Sequence, residues 1–207
     1  MATLGRRRFG KTGREVTPVG LGGEGVLRTY GRHAEAKAVI MEALNQGITY
    51  FDSAKVYAGS EDYYGEVWVS HPDLRAPVFQ ASKSASRLHA DAEMDLQESL
   101  QRMGIETLDL WQVHDVRTFP DIREIEGPSG ALAAFIEAKE MGIVRHIGVT
   151  GHHDPDVLSH AVENWPVDAV MMPANPVEGA LGGFLTSTLP AAKEQGGAVI
   201  GMKVLGG

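Results

Sequence analysis

The sequence predicts an α/β fold of the (β/α) barrel type, a parallel sheet curled inside a layer of helices. Three observations carry that reading. Short apolar runs bounded by turn residues start at roughly 30-residue intervals, the size of one βα unit. Segments of helical period lie between the runs, which implies parallel strands with helices outside. No Gly-x-Gly-x-x-Gly follows the first run, which leads instead into Gly22-Gly23-Glu24-Gly25. A doubly wound dinucleotide fold is therefore the weaker alternative.

The expected strands are Val16–Leu21, Ile48–Phe51, Val78–Ala81, Leu108–Val113, His146–Val149, Ala169–Met172 and Val199–Met202. Near-continuous apolar runs of this length suit strands covered on both faces. The expected helices alternate with them. Glu35–Asn45 places Ala38, Val39, Met41 and Leu44 near i, i+3, i+4 spacing and stops at Gly47, a residue suited to the left-handed C′ position. Asp91–Met103 stops in the same way at Gly104, Ala131–Met141 at Gly142 and Leu185–Gln195 at Gly196. Asp154–Asn164 opens on Asp154-Pro155, a cap followed by proline in the first turn. No linker, charge block or composition shift divides the chain, so residues 1–207 read as a single domain.

Composition narrows the function classes. Glycine supplies 25 of 207 residues, about 12% against a usual ~7%, which fits many tight turns. Cysteine is absent, which removes disulfides, iron–sulfur ligation and a thiol nucleophile. The formal net charge is −8, which argues against nucleic acid and against an anionic membrane surface. The start, Met1–Arg8, is basic with no apolar stretch after it, so it does not read as a signal peptide. No apolar run approaches the ~18 residues of a membrane span. The expected location is cytoplasmic.

In a barrel the chemistry gathers where strands end. The polar residues at those ends are Asp52, Lys83, His114 with Asp115, Thr150 with His152, Asn175, and Lys203. Charge at the end of a buried run is costly unless paired or solvated. Taken singly, Asp52 reads first as a cap or loop anchor, Lys83 as a solvated lysine and Tyr57 as a loop tyrosine. Their placement on successive strands is what points to a site.

Several ordered motifs resemble the aldo-keto reductases. They are Phe51-Asp52-Ser53-Ala54 with Tyr57, Ser60-Glu61 and Gly65, then Ala81-Ser82-Lys83, then Trp111-Gln112-Val113-His114-Asp115. Arg7–Gly13 is similar to that family's N-terminal hairpin, which plugs the barrel. Ile147–Thr150 and Met202–Gly207 resemble its fifth and seventh strands. The resemblance implies a (β/α)8 TIM-type barrel and an NADP(H)-dependent oxidoreductase that reduces an aldehyde or ketone. It implies the tetrad Asp52, Tyr57, Lys83 and His114, with Tyr57 as general acid. A Tyr hydroxyl, with a reference pKa of about 10, is a poor acid at neutral pH. Lys83 is expected to lower that value, Asp52 to hold Lys83, and His114 to orient the carbonyl.

Cofactor contacts are expected from Thr150, His152, Asn175 and Lys203. Here the sequence departs from the family. Thr150-Gly151-His152 replaces its Ser-Asn pair, so His152 either stands in for the Asn or belongs to a polar loop capped by Asp154. Met171 replaces a Gln, and Met202-Lys203 lacks the aromatic platform. The chain is expected to hold about seven of the eight βα units, leaving the first and last strands facing each other across a gap. Such an edge invites pairing with another chain. The favoured expectation is that the natural polypeptide continues past Gly207; the other is that the open edge is buried in a homo-oligomer.

The other readings are a non-redox barrel enzyme and a non-catalytic, reductase-like subunit. In the former, Lys83 forms a Schiff base or His114, Asp115, His152 and His153 bind a metal. The leading reading expects no metal ion and a small carbonyl compound as substrate. Trp111, Tyr30 and Phe119 are candidates to line its pocket, with packing the equal alternative.

Overall fold

A computed structural model describes residues 4–205. The first residues of the basic start and Gly206-Gly207 of the last motif lie outside them. The chain opens with an antiparallel hairpin, β1 (Arg7–Arg8) and β2 (Glu15–Val16), joined through a 3-10 turn at Gly10–Thr12. A second 3-10 turn, Gly25–Arg28, precedes α1 (His33–Asn45) and β3 (Tyr50–Asp52). Then follow α2 (Ser60–Ser70), the single-turn α3 (Pro72–Arg75) and β4 (Phe79–Ser84). Next come α4 (His89–Met103), β5 (Leu108–Val113), α5 (Phe119–Ile125), α6 (Ala131–Glu140) and β6 (Val144–Thr150). The chain continues with α7 (Pro155–Asn164), β7 (Ala169–Pro173), α8 (Pro176–Leu181), α9 (Leu189–Glu194) and β8 (Ala198–Met202).

Strands β3 to β8 form one six-stranded parallel sheet in sequence order. The sheet curls as part of a (β/α)8 barrel. The expected first strand is different. Glu15–Val16 turns away into the hairpin, and only Leu21 reaches the sheet, through a parallel bridge to Phe51. Thr17 explains the break: its N–H and hydroxyl oxygen bond the Thr49 side chain and backbone rather than a neighbouring ladder. The expected helix Leu185–Gln195 also divides. Phe184–Thr188 is a π-helical turn and only Leu189–Glu194 is α-helical. Pro190 accounts for this, since it carries no N–H for an α-helical bond at that point.

The sheet has two unlike faces. Outside, the helices bury a continuous core that includes Ile40, Phe51, Trp68, Leu108, Trp111, Phe135 and Val149. Inside the curl a smaller core holds Tyr50, Phe79, Ala81, Leu110, Ala169 and Ala198 against Phe9 and Val16 of the hairpin. The ring of Phe9 meets Tyr50 at 5.5 Å and Phe79 at 5.1 Å between centroids, so the hairpin plugs one end of the barrel. At the other end the same inward parity carries Asp52, Lys83, Gln112 and Thr150. No described helix is long and apolar enough to cross a membrane.

The expected helix stops at Gly47, Gly104, Gly142 and Gly196 are all left-handed, with φ of 78, 60, 74 and 67°. Gly65 is held for another reason. A Cβ there would overlap the Arg102 carbonyl oxygen where α2 crosses α4. Gly65→Ala is therefore expected to separate two helices that flank the site. A loss of about 1–3 kcal/mol in urea unfolding, with an unchanged m-value, is the outcome that checks it.

Candidate active site

The centre is a buried ion pair. Lys83 comes from β4 and Asp52 from the end of β3, and they are 1% and 5% exposed. The Lys83 ammonium bonds Asp52 Oδ2 and donates a second bond of 2.7 Å to the Ser53 carbonyl. The other Asp52 oxygen accepts from the Tyr50 hydroxyl at 3.3 Å and from Gln112 Nε2 at 3.5 Å. Burial pushes the Asp52 carboxyl up, against the pull of Lys83. Both charges are thus met by neighbours on β3, on β5 and on the residue just past β3, as a buried pair requires.

Tyr57 and His114 stand over this pair. Tyr57 lies in the loop after β3, and that loop is pinned to β4. Ser53 N–H bonds the Ala81 carbonyl and Lys55 N–H the Lys83 carbonyl, each at 3.0 Å. The start of α2 is tied in as well, because Ser53 Oγ donates to Ser60 Oγ and Ser82 Oγ donates to buried Glu61. Lys83 Nζ lies 4.8 Å from the centre of the Tyr57 ring, and His114 meets that ring edge-on at 5.6 Å. The structure therefore brings Asp52, Tyr57, Lys83 and His114 to one end of the barrel.

The electrostatics differ from expectation at one point. The Tyr57 phenol is pushed up from its ordinary value, not down. Burial of the phenolate is the largest cause, and Lys83, whose charge Asp52 already balances, opposes it without winning. Burial and the Lys83 ammonium lower the His114 imidazole to about 3. The ring is therefore neutral in neutral solution, and its Nδ1 is buried without a hydrogen-bond partner.

An open cleft of about 960 Å³ runs from this centre along the slot between Leu21 and β8 to Phe9 and Val16 of the hairpin. Among the described residues no strand spans that slot. Thr150, His152, Met171 and Lys203 line the cleft. The Thr150 hydroxyl oxygen accepts from Asp115 N–H at 2.8 Å and keeps its own proton to donate. Lys203 is exposed, with a left-handed φ of 53°. Asn175 is placed otherwise. Its side chain caps α8 by accepting from Glu178 N–H and donates to the Lys203 carbonyl, and it does not line the cleft. Asn175 thus shapes the end of β8 from behind.

The aromatic candidates do not line the cleft either. Trp111 is fully buried and stacks on Phe135, Tyr30 is 77% exposed, and Phe119 packs edge-on against His160. Sequence reasoning missed other residues of the centre. Tyr50 and Gln112 precede Asp52 and His114 by two residues, so strand alternation was the signal for both. Arg28 places its guanidinium 4.8 Å from the Tyr57 ring centre while paired with Glu24 at 2.6 Å. Gly23 lets the ring approach: a Cβ there would lie 2.6 Å from Tyr57 Cδ2.

A profile of the Aldo/keto reductase family matches residues 18–207. L-galactose dehydrogenase of Arabidopsis thaliana is 28% identical, over 97% of this chain and 65% of its own. Aldo-keto reductase yakc [NADP(+)] of Schizosaccharomyces pombe is 30% identical over 80% of this chain and 52% of its own. The chain thus spans between half and two thirds of the length of these curated relatives. An aldo-keto reductase from Bacillus halodurans, solved in its holo form, superposes with a TM-score of 0.79 at 22% identity, over 97% of this chain and 66% of that one.

The ion pair generates a stability test. Lys83→Met leaves the Asp52 carboxylate buried alone, at an expected cost of about 3–5 kcal/mol in chemical denaturation. Removing both charges with Asp52→Leu and Lys83→Met should restore most of it. A single-mutant loss below ~1 kcal/mol would show a solvated pair.

Proposed function

The chain belongs to the aldo/keto reductase family, and we propose that it serves an NADP(H)-dependent reductase converting an aldehyde or ketone to an alcohol. One observation carries the reading: Tyr57 and His114 share the mouth of a cleft with the buried Lys83–Asp52 pair beneath them. A carbonyl oxygen placed between the Tyr57 hydroxyl and the His114 ring meets two neutral donors. His114 polarises the carbonyl and fixes its orientation. Tyr57 delivers the proton to the oxygen as negative charge develops there. The tyrosinate that remains lies next to the Lys83 ammonium, which stabilises it, while Asp52 keeps that ammonium in place.

The residues of the cleft fit a nicotinamide nucleotide at its reactive end. The buried Thr150 hydroxyl has a free proton, and the His152 ring stands beside it on the same wall. These two would hold the carboxamide, and Lys203 at the rim would meet a phosphate. When bound, that cofactor supplies the hydride. The choice of NADP over NAD is supported by the name of the fission-yeast relative. The substrate is a small carbonyl compound. No nucleic acid or membrane enters the reading.

The test mixes the full chain with NADPH, follows the cofactor's fluorescence, and measures turnover of 4-nitrobenzaldehyde. Tyr57→Phe should cut turnover at least about a hundredfold and leave the fluorescence change intact. Undiminished turnover would remove Tyr57 as the acid. The pH profile follows from the two shifts. His114 stays neutral above about 3, and Tyr57 keeps its proton beyond its ordinary value. Reduction should therefore be flat from about pH 5 to 9 and fall only as the phenol ionises above ~10. A limb near neutral pH would contradict the burial of both groups.

A further inference from the structure

On the cleft wall, Asp115 Oδ1 lies 3.3 Å from His152 Nε2 and 3.4 Å from His153 Nε2. One ligand atom from each of the three residues falls within 4.8 Å of the others. Yet Asp115 Oδ1, although buried, accepts no hydrogen bond. Two imidazole nitrogens at that range would normally donate to it. The oxygen therefore keeps its lone pairs for another partner, with two imidazole nitrogens beside it. A tetrahedral ion with bonds of about 2.0–2.1 Å holds neighbouring ligand atoms about 3.3–3.4 Å apart, the spacing found here from Asp115 Oδ1 to each imidazole.

We propose that Asp115, His152 and His153 bind one divalent transition-metal ion of the Zn2+ class, with water in the fourth position. Two imidazoles and one carboxylate are a donor set that suits zinc. The surroundings are built for it. Arg117 takes the other Asp115 oxygen through Nε at 2.8 Å and Nη2 at 2.6 Å, which leaves Oδ1 free as a single ligand and orients it. The Asp115 backbone is left-handed, with φ of 55°, and its N–H is held by Thr150 Oγ1. Aspartate is among the residues that adopt this conformation most readily, and here it turns the carboxylate toward the histidines. The three side chains are 18, 30 and 42% exposed, so solvent reaches the open position.

Arg87, Arg117 and Lys203 are cations nearby: Arg87 donates to the Asp115 carbonyl at 2.8 Å and lies near the Asp121 carboxylate, and Arg117 is already balanced by Asp115. His114, the fourth member of the sequence-based metal alternative, does not join this group. The site does not rest on the reductase reading, but it takes His152 from the carboxamide, which Thr150 would then hold alone.

The experiment is calorimetric titration of the full chain with ZnCl2 near pH 7.5, repeated with Co2+ by visible absorption. The expected result is one saturable ion per chain, with Co2+ bands of tetrahedral intensity. His153→Ala and His152→Ala should each weaken binding at least about tenfold. His153 is exposed, so its variant is expected to fold, and circular dichroism checks this. His33→Gln, on a remote surface pair with Glu66, should change nothing. Absence of saturable binding, or unchanged affinity in folded His153→Ala, would overturn the site.

Discussion

The buried Lys83–Asp52 pair is the constraint to which the rest of the site answers. Two full charges inside a barrel are tolerable only when each hydrogen-bonding direction is filled. The filling comes from several elements at once. Ser53 offers a carbonyl to Lys83, while Tyr50 and Gln112 donate to Asp52. These groups sit on β3, on β5 and on the first residue past β3, so the pair is complete only when the strands hold their observed register. A one-residue slip would turn Lys83 or Asp52 toward the helices. The same ladder that stabilises the sheet therefore aligns the site, and the loop carrying Tyr57 is fastened to β4 by bonds flanking this pair.

The lumen divides along its length for a related reason. At the plugged end Phe9, Tyr50 and Phe79 form an aromatic cluster closed by the hairpin. Gly10 permits that closure, since a Cβ there would overlap the Ala198 backbone nitrogen. Two residues further along each strand the inner face becomes Asp52, Ala81 and Gln112, and beyond it Lys83 and His114. Tyr50 belongs to both zones. Its ring packs on the apolar floor and its hydroxyl reaches Asp52. The dry floor strips the tyrosine and carboxylate groups above it of water, and that desolvation is the largest influence on Asp52, Tyr57 and His114 alike.

Much of this was legible in the residues. The recurring apolar runs marked the strands of the parallel sheet, and the glycines at positions 47, 104, 142 and 196 marked real helix stops. The resemblance of the ordered motifs to the aldo-keto reductases implied that Asp52, Tyr57, Lys83 and His114 meet. Apart from Tyr50 and Gln112, what escaped had no local signal. Val16–Leu21 looks like a strand, but the Thr17–Thr49 contact diverts it. Ser60–Ser70 is a helix whose buried face includes Ser60, Glu61 and Gly65, so its apolar stripe is interrupted by polar groups satisfied elsewhere. Asn175 looked like a cofactor ligand because it follows a strand, yet a helix starts there and needs a cap. Asp115 was visible as an acid, whereas its left-handed backbone and its meeting with His152 and His153 exist only in three dimensions.

On the reductase function we propose, the reversal at Tyr57 bears on the direction of the chemistry. A lysine beside a tyrosine suggests a lowered phenol, and a lone cation would have that effect. Here Asp52 cancels much of the Lys83 field, and burial penalises the phenolate beyond what remains. The resting tyrosine is therefore protonated, which is the form that carbonyl reduction consumes. Alcohol oxidation at the same centre needs the tyrosinate, and that form becomes populated only as pH rises toward the raised value. The two directions should part with pH: reduction holding through neutrality, and oxidation climbing without a plateau up to about pH 10. Rates measured both ways across that range provide the check. A plateau in oxidation near pH 8 would mean that the Lys83 field outweighs burial after all. The buried pair would then act on Tyr57 as an electrostatic device as well as a positioning one.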